Sequence, residues 1–152
     1  MKKRYIYPSL LLLFFGSGAS AQYIQVNDTY TAQQLVNALV DNSCAQISNI
    51  NLSGSLGIRS HGYFNNGTSA FPFANGIVLS TGFAASAPGP NNSLLSEGTA
   101  GSWEGDQDLE NALGVNNTVN ATVLEFDFVP FTDNISFDYM FSSEQYLTSI
   151  TS

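Results

Sequence analysis

The sequence predicts a mainly β domain, a jelly-roll-like β-sandwich with one short N-terminal helix. Three observations carry this reading. Residues 122–146 (TVLEFDFVPFTDNISFDYMFSSEQY) contain two arms in which apolar and polar side chains alternate. That spacing sorts residues onto the two faces of a strand. Shorter apolar runs elsewhere are separated by Gly-, Asn- and Ser-rich stretches, the pattern of short strands joined by turns. Only one segment near the N-terminus has a convincing helical stripe.

The first 21 residues read as a secretory signal peptide. Met1-Lys2-Lys3-Arg4 is a basic start, Ile6 to Phe15 is an apolar run, and Ala19-Ser20-Ala21 fits the small-residue cleavage rule. The apolar run falls short of the roughly 20 residues that a membrane span needs. Cleavage after Ala21 is expected, with residues 22–152 as the exported domain, extracellular or at the cell surface and not inserted in a membrane. Of the 4 Lys and Arg residues, three lie in the leader, whereas all 12 Asp and Glu residues follow it. Arg59 is then the one cation of the mature chain, whose net charge is 1 − 12 = −11 with His61 neutral. Such a surface excludes nucleic acid and anionic membranes as natural partners, because phosphate binding needs a basic patch. Divalent cations, neutral glycans or simple solubility in one-signed charge fit better.

The elements follow in order. Thr29 to Val40 is the helix, capped by Thr31 or Thr29, with Ala32, Leu35, Val36, Leu39 and Val40 as its apolar stripe. Ile47 to Leu52 reads as a short strand, Ile58 to Phe64 as a weaker one carrying Arg59 and His61, and Gly76 to Gly82 as a third. Residues 84–105 are loop-like in composition, and Asp106 to Leu113 allows one or two helical turns. The final arms, Leu124-Phe126-Phe128 and Ile135-Phe137-Tyr139-Phe141, predict a hairpin turning at residues 130–134. Seven Asn-X-Ser/Thr triplets occur, at Asn27, Asn51, Asn66, Asn91, Asn116, Asn120 and Asn134. In a chain this rich in Asn and Thr they read as compositional.

Two acidic groups could carry chemistry. Glu104, Asp106, Asp108 and Glu110 alternate over a short span. On an irregular loop they could converge on a calcium ion, which takes six to eight oxygens. The register is not that of an EF-hand, since Asn111 and Asn117 stand where Gly and Glu are required. A solvated acidic loop is the alternative. The second group is Glu125, Asp127, Asp138 and Glu144. In the expected hairpin, pairing Phe128 with Ile135 sets Glu125 opposite Asp138, and pairing Phe128 with Phe137 sets Asp127 opposite Asp138. Opposed carboxylates repel, a repulsion that a bound cation would reverse and salt would mute.

Catalytic patterns are sparse. Paired carboxylates admit glycoside hydrolysis, but no carboxylate is marked as buried. No Gly-X-Ser-X-Gly elbow accompanies His61, which reads as a loop or surface residue. One His and one Cys cannot build a zinc site, and Gly54 to Gly57 lacks the residues of a phosphate loop. No catalytic residue is assigned. Cys44 is the only cysteine, and in an exported protein it is free, intermolecular, or half of a pair.

Blocks of the chain resemble the choice-of-anchor L domain of bacterial surface and secreted proteins, a family common in Bacteroidota. They are Ala32 to Val36, Gly62-Tyr63-Phe64, Phe71-Pro72-Phe73 with Gly76 to Gly82, Gly89-Pro90-Asn91, Gly105 to Leu109, and Ala121 to Pro130 with Ile135 to Tyr146. The resemblance implies an exported, non-catalytic β module for adhesion or for contact with a glycan or protein ligand, calcium-stabilised if Asp106 and Asp108 bind the ion. A carbohydrate-active enzyme (or its binding half) and a structural spacer are the alternatives. Family members continue further, so the resemblance also implies a domain incomplete at its C-terminus, with downstream sequence as its natural partner. Cys44 would then pair with a cysteine of that region.

Overall fold

The computed structural model describes residues 23–40, 45–55, 57–89, 95, 97–98, 102–131, 133 and 136–143. The leader, Cys44, Ile135 and Glu144 lie outside the described residues. The chain is mainly β, as expected, with two antiparallel sheets and two short helices. One sheet contains β1 (Gln25–Asn27), β3 (His61–Asn65) and β4 (Asn75–Leu79), in the order β1-β3-β4. The other pairs β2 (Ala45–Ser53) with β5 (Val123–Pro130).

The helix α1 (Ala32–Leu39) begins where a capping box sets it. Thr31 Oγ1 accepts from the Gln34 backbone N–H, and the Gln34 side chain accepts from the Thr31 N–H. This satisfies two backbone donors that a helix start leaves open. Leu35 and Val36 are fully buried, and α1 packs against β2, β3 and β4, bridging the two sheets. With Phe64 and Ala84 they are the buried apolar core among the described residues. Around Phe64, Phe71 packs edge-on at 5.4 Å between ring centres, and Phe73 packs edge-on against Phe71 at 5.8 Å, a geometry that aromatic quadrupoles favour.

In β2 a bulge reconciles an uneven pattern. Ile47 and Ile50 are three residues apart, which would place them on opposite faces of a regular strand. The ladder pairs Ser48 with Asp127 and Asn51 with Glu125, so Asn49 and Ile50 together stand against Phe126. Asn49 adopts φ 51°, the left-handed region that asparagine tolerates better than most residues. The extra residue returns Ile47, Ile50 and Leu52 to one half-buried face with Leu124, Phe126 and Phe128.

The expected hairpin is not formed among the described residues. Residues 136–143 belong to no strand, and the partner of β5 among the described residues is β2. The register suits this pairing. Along β2 the apolar pairs Ile47–Phe128 and Leu52–Leu124 match, and each carboxylate of β5 faces a neutral residue, Ser48 or Asn51. The hairpin would have set Asp138 against one of those carboxylates, a like-charge pair costing about 0.2–1 kcal/mol.

Candidate functional site

The outward face of the β2–β5 sheet carries a row of exposed polar side chains. Gln46, Ser48, Asn49, Asn51 and Ser53 project from β2, and Glu125 and Asp127 project from β5, all exposed. Asn49 Nδ2 donates to the Asp127 carboxylate, and Asn51 Nδ2 donates to Glu125 Oε2 at 3.2 Å. Each pair leaves the amide carbonyl and the second carboxylate oxygen as acceptors, and one amide N–H as a donor. The bulge creates this arrangement by adding Asn49 to the polar row. Sequence reasoning found Glu125 and Asp127 but gave them Asp138 and Glu144 as company. Asp138 is exposed and outside the ladder. The amide partners carried a signal in the run Ser48-Asn49-Ile50-Asn51, whose polar residues fall on both sides of Ile50.

The first acidic group takes a different form from the irregular loop envisaged. Asp106 caps the helix α2 (Gln107–Leu113), its Oδ1 accepting from the Leu109 N–H at 2.7 Å. Glu110 Oε1 accepts from the Thr118 N–H at 2.6 Å and its hydroxyl at 2.9 Å. The same hydroxyl accepts from the Asp106 N–H at 3.0 Å. Asp108 is exposed in the first turn, and Glu104 bridges to Val119. Asp106 and Glu110 thus serve hydrogen bonds within this segment, and the other two carboxylates do not share them. No cluster of three or more His, Cys, Asp or Glu suited to a metal ion occurs among the described residues.

These contacts predict the behaviour of Asp106→Ala. Loss of the cap should lower stability by about 1 kcal/mol, equally in calcium and in chelator. Thermal melts under both conditions check this. A loss seen only in calcium would restore the metal reading.

Buried and half-buried polar residues complete the framework. Asn120, one of the seven triplet asparagines, is 5% exposed. Its Nδ2 donates to the Gly98 carbonyl at 3.2 Å, while its Oδ1 accepts from the Ser102 hydroxyl and the Trp103 N–H. The folded chain therefore uses this side chain internally, and its burial leaves no room for a glycan. Glu97 Oε1 accepts from Ser86 Oγ at 2.6 Å and its Oε2 from the Phe83 N–H at 3.1 Å, holding the 3-10 turn at Ala84–Ser86.

His61 lies in strand β3 and is 7% exposed, which corrects its reading as a loop or surface residue. Burial holds its pKa below the ordinary value, opposed in part by a backbone hydrogen bond with Tyr30 and by the Asp28 carboxylate. Arg59 pairs with Asp28 at 3.2 Å, and Tyr30 stacks on Tyr63 at 4.8 Å. This is a polar seam between β1 and β3, without a serine nucleophile hydrogen-bonded to His61 among the described residues.

Fold and site together define a mainly β module whose polar chemistry is displayed on an open sheet face. The chain belongs to the choice-of-anchor L domain family, whose model matches residues 24–152. It is accordingly a surface-anchored or secreted protein module. No helix among the described residues is long and apolar enough to cross a membrane. No curated protein and no solved structure gave a significant match.

Proposed function

We propose that this module is a non-catalytic binding domain that contacts neutral glycans through the outer face of the β2–β5 sheet. The amide–carboxylate pairs Asn49–Asp127 and Asn51–Glu125 carry this reading. Sugar hydroxyls both donate and accept, so they are matched by side chains that present acceptors and a donor at a fixed spacing. Here each pair orders its members before any ligand arrives, which lowers the cost of binding. The net charge of the mature sequence disfavours anionic sugars by the same electrostatics that disfavour phosphate.

Hydrolysis receives less support from the same residues. The two-carboxylate mechanism needs one carboxyl group kept protonated, commonly by burial. Glu125 and Asp127 are exposed on an open sheet, a setting suited to reversible contact.

An array of neutral oligosaccharides, followed by calorimetry on the strongest binder, tests the proposal. Binding without turnover is expected. Asp127→Ala should weaken it about tenfold or more, the cost of a charge-assisted hydrogen bond of roughly 1.5–3 kcal/mol. Unchanged affinity in both Asp127→Ala and Asn51→Ala would move the site elsewhere, and turnover lost in Glu125→Gln would establish the enzyme alternative.

A further inference from the structure

We propose that His61 is an acid-sensitive joint of the fold: proton uptake by its imidazole loosens residues 28–31 from β3. The histidine is 7% exposed, lies at the start of β3 and pairs with Leu79 of β4. Its side chain makes a hydrogen bond with the Tyr30 backbone and feels the Asp28 carboxylate. Tyr30 also stacks on Tyr63, two residues along the same strand, and directly precedes Thr31, the cap of α1. The passage from β1 to α1 is therefore fastened to β3 at His61 and again at Tyr63. The fit is close. A Cβ at Gly62 would stand 3.0 Å from the Asn27 carbonyl oxygen and 3.3 Å from Asp28 Cα.

A neutral imidazole suits such a site better than an imidazolium, because a buried charge needs water or enough acceptors to replace it. The surroundings supply little of either. Strand β3 packs against β1, β4, α1 and the 3-10 turn Ala84–Ser86. None of these four elements carries a charged residue. Glu97, which reaches the 3-10 turn, is taken up by Ser86 and the Phe83 N–H. Among the described residues, the charged groups beside the seam are Asp28, which favours the proton, and Arg59, which draws on the same carboxylate at 3.2 Å. Tyr30 and Tyr63 are the other titratable neighbours.

Burial outweighs the help from Asp28 and Tyr30 and holds the His61 pKa below its ordinary value. The unfolded chain then binds the proton more readily than the folded one. Stability is full above the ordinary histidine value of about 6.5 and declines as the pH falls through it, levelling once the folded imidazole is itself protonated. Moving residues 28–31 outward gives the imidazolium water at the expense of the tyrosine stack, so the proton acts at this joint.

His61 is the only histidine of the chain, which makes the titration assignable. Carboxyl groups ordinarily titrate near about pH 4 and α-amino groups near about pH 8, so the interval from about pH 7 to about pH 5.5 reads chiefly one side chain. Proton NMR of the exported chain, made without added histidines, follows the single imidazole in buffer and in concentrated urea. The midpoint in buffer is expected below that in urea. Over the same interval the melting temperature should fall with pH in the parent and stay level in His61→Gln. Hydrogen exchange at the two ends of the interval, corrected for intrinsic rates, should show β1–β3 amides losing more protection than those of β2–β5. Asp28→Asn removes the carboxylate that favours the proton and should lower the NMR midpoint further, a displacement that a purely structural role for Asp28 would not produce. A midpoint in buffer at or above that in urea overturns the proposal, even where His61→Gln does not fold. So does a His61→Gln melting temperature that falls as the parent's does, protection lost equally from both sheets, or an Asp28→Asn midpoint that stays in place or rises. None of these residues lies on the β2–β5 face, so the outcome is separate from the glycan reading.

Discussion

Gly105→Ala is expected to cost this domain at least about 3 kcal/mol, beyond the usual range for an added methyl group in a packed site. A Cβ at Gly105 would lie 2.1 Å from both the Thr118 carbonyl oxygen and Thr118 Oγ1. Neither contact yields easily. The carbonyl belongs to the backbone beside the Glu104–Val119 bridge, and the hydroxyl is held between the Asp106 N–H and the Glu110 carboxylate. Relief therefore requires the strand-like approach of 104 to 119 to open. That would withdraw Thr118 from α2 and weaken the packing of Trp103, whose Nε1–H donates to the Ala121 carbonyl at 2.7 Å. Urea denaturation measures the loss. Gly57→Ala is the matching control, since its added Cβ meets only Ser55 Oγ at 3.9 Å. A Gly105→Ala protein within 1 kcal/mol of the parent (about fivefold in the folding constant) would show that the approach is looser than described.

The same residue shows why the acidic run was harder to read than the helix before it. Thr31 and Gln34 announce α1 by local chemistry, with cap and apolar stripe lying within a dozen residues. Asp106 is also a local cap, but its own backbone N–H is met by Thr118, twelve positions away and brought near by a bridge that no periodicity reveals. Carboxylate spacing alone described Glu104 to Glu110 as a group. In the fold Asp106 and Glu110 accept from nearby N–H and O–H donors, whereas Asp108 stays exposed.

Strand pairing shows the same boundary between local and distant information. Alternation in 123–130 correctly marked a two-faced strand, and β4 was equally legible from its apolar run between glycines. Alternation does not say which partner a strand takes, because that depends on cross-strand matches anywhere in the chain. Nearness favoured residues 135–141. The actual partner, β2, offers apolar residues opposite apolar ones and neutral polar residues opposite both carboxylates. Its bulge concealed that match, since Ile47 and Ile50 break a strict two-residue period. The polar outer face thus arose from residues visible in the sequence, Asn49, Asn51, Glu125 and Asp127, but their juxtaposition required the distant register.

Leu35→Ala should reduce stability by about 3–5 kcal/mol, the upper part of the range for deleting a fully buried leucine side chain. The upper part is expected because Leu35 is 0% exposed and its helix is the bridge between the two sheets. Large truncations are cheaper where neighbours can collapse into the cavity. Here α1 contacts β2 on one side and β3 and β4 on the other, so movement toward one sheet withdraws packing from the other. The described core is also small, with Val36, Phe64 and Ala84 as the remaining buried apolar residues. A domain of ordinary stability has only about 5–15 kcal/mol in total, so this single change removes a large part of it. Leu35→Met, which keeps nearly the same volume, should cost less than about 1.5 kcal/mol. Denaturant melts of the two variants separate cavity formation from mere chemical change. Because β2 rests on α1, the alanine variant should also lose affinity at the outer sheet face as it unfolds, in proportion to the folded fraction. Affinity that outlasts the melt would detach that face from the packing that builds it.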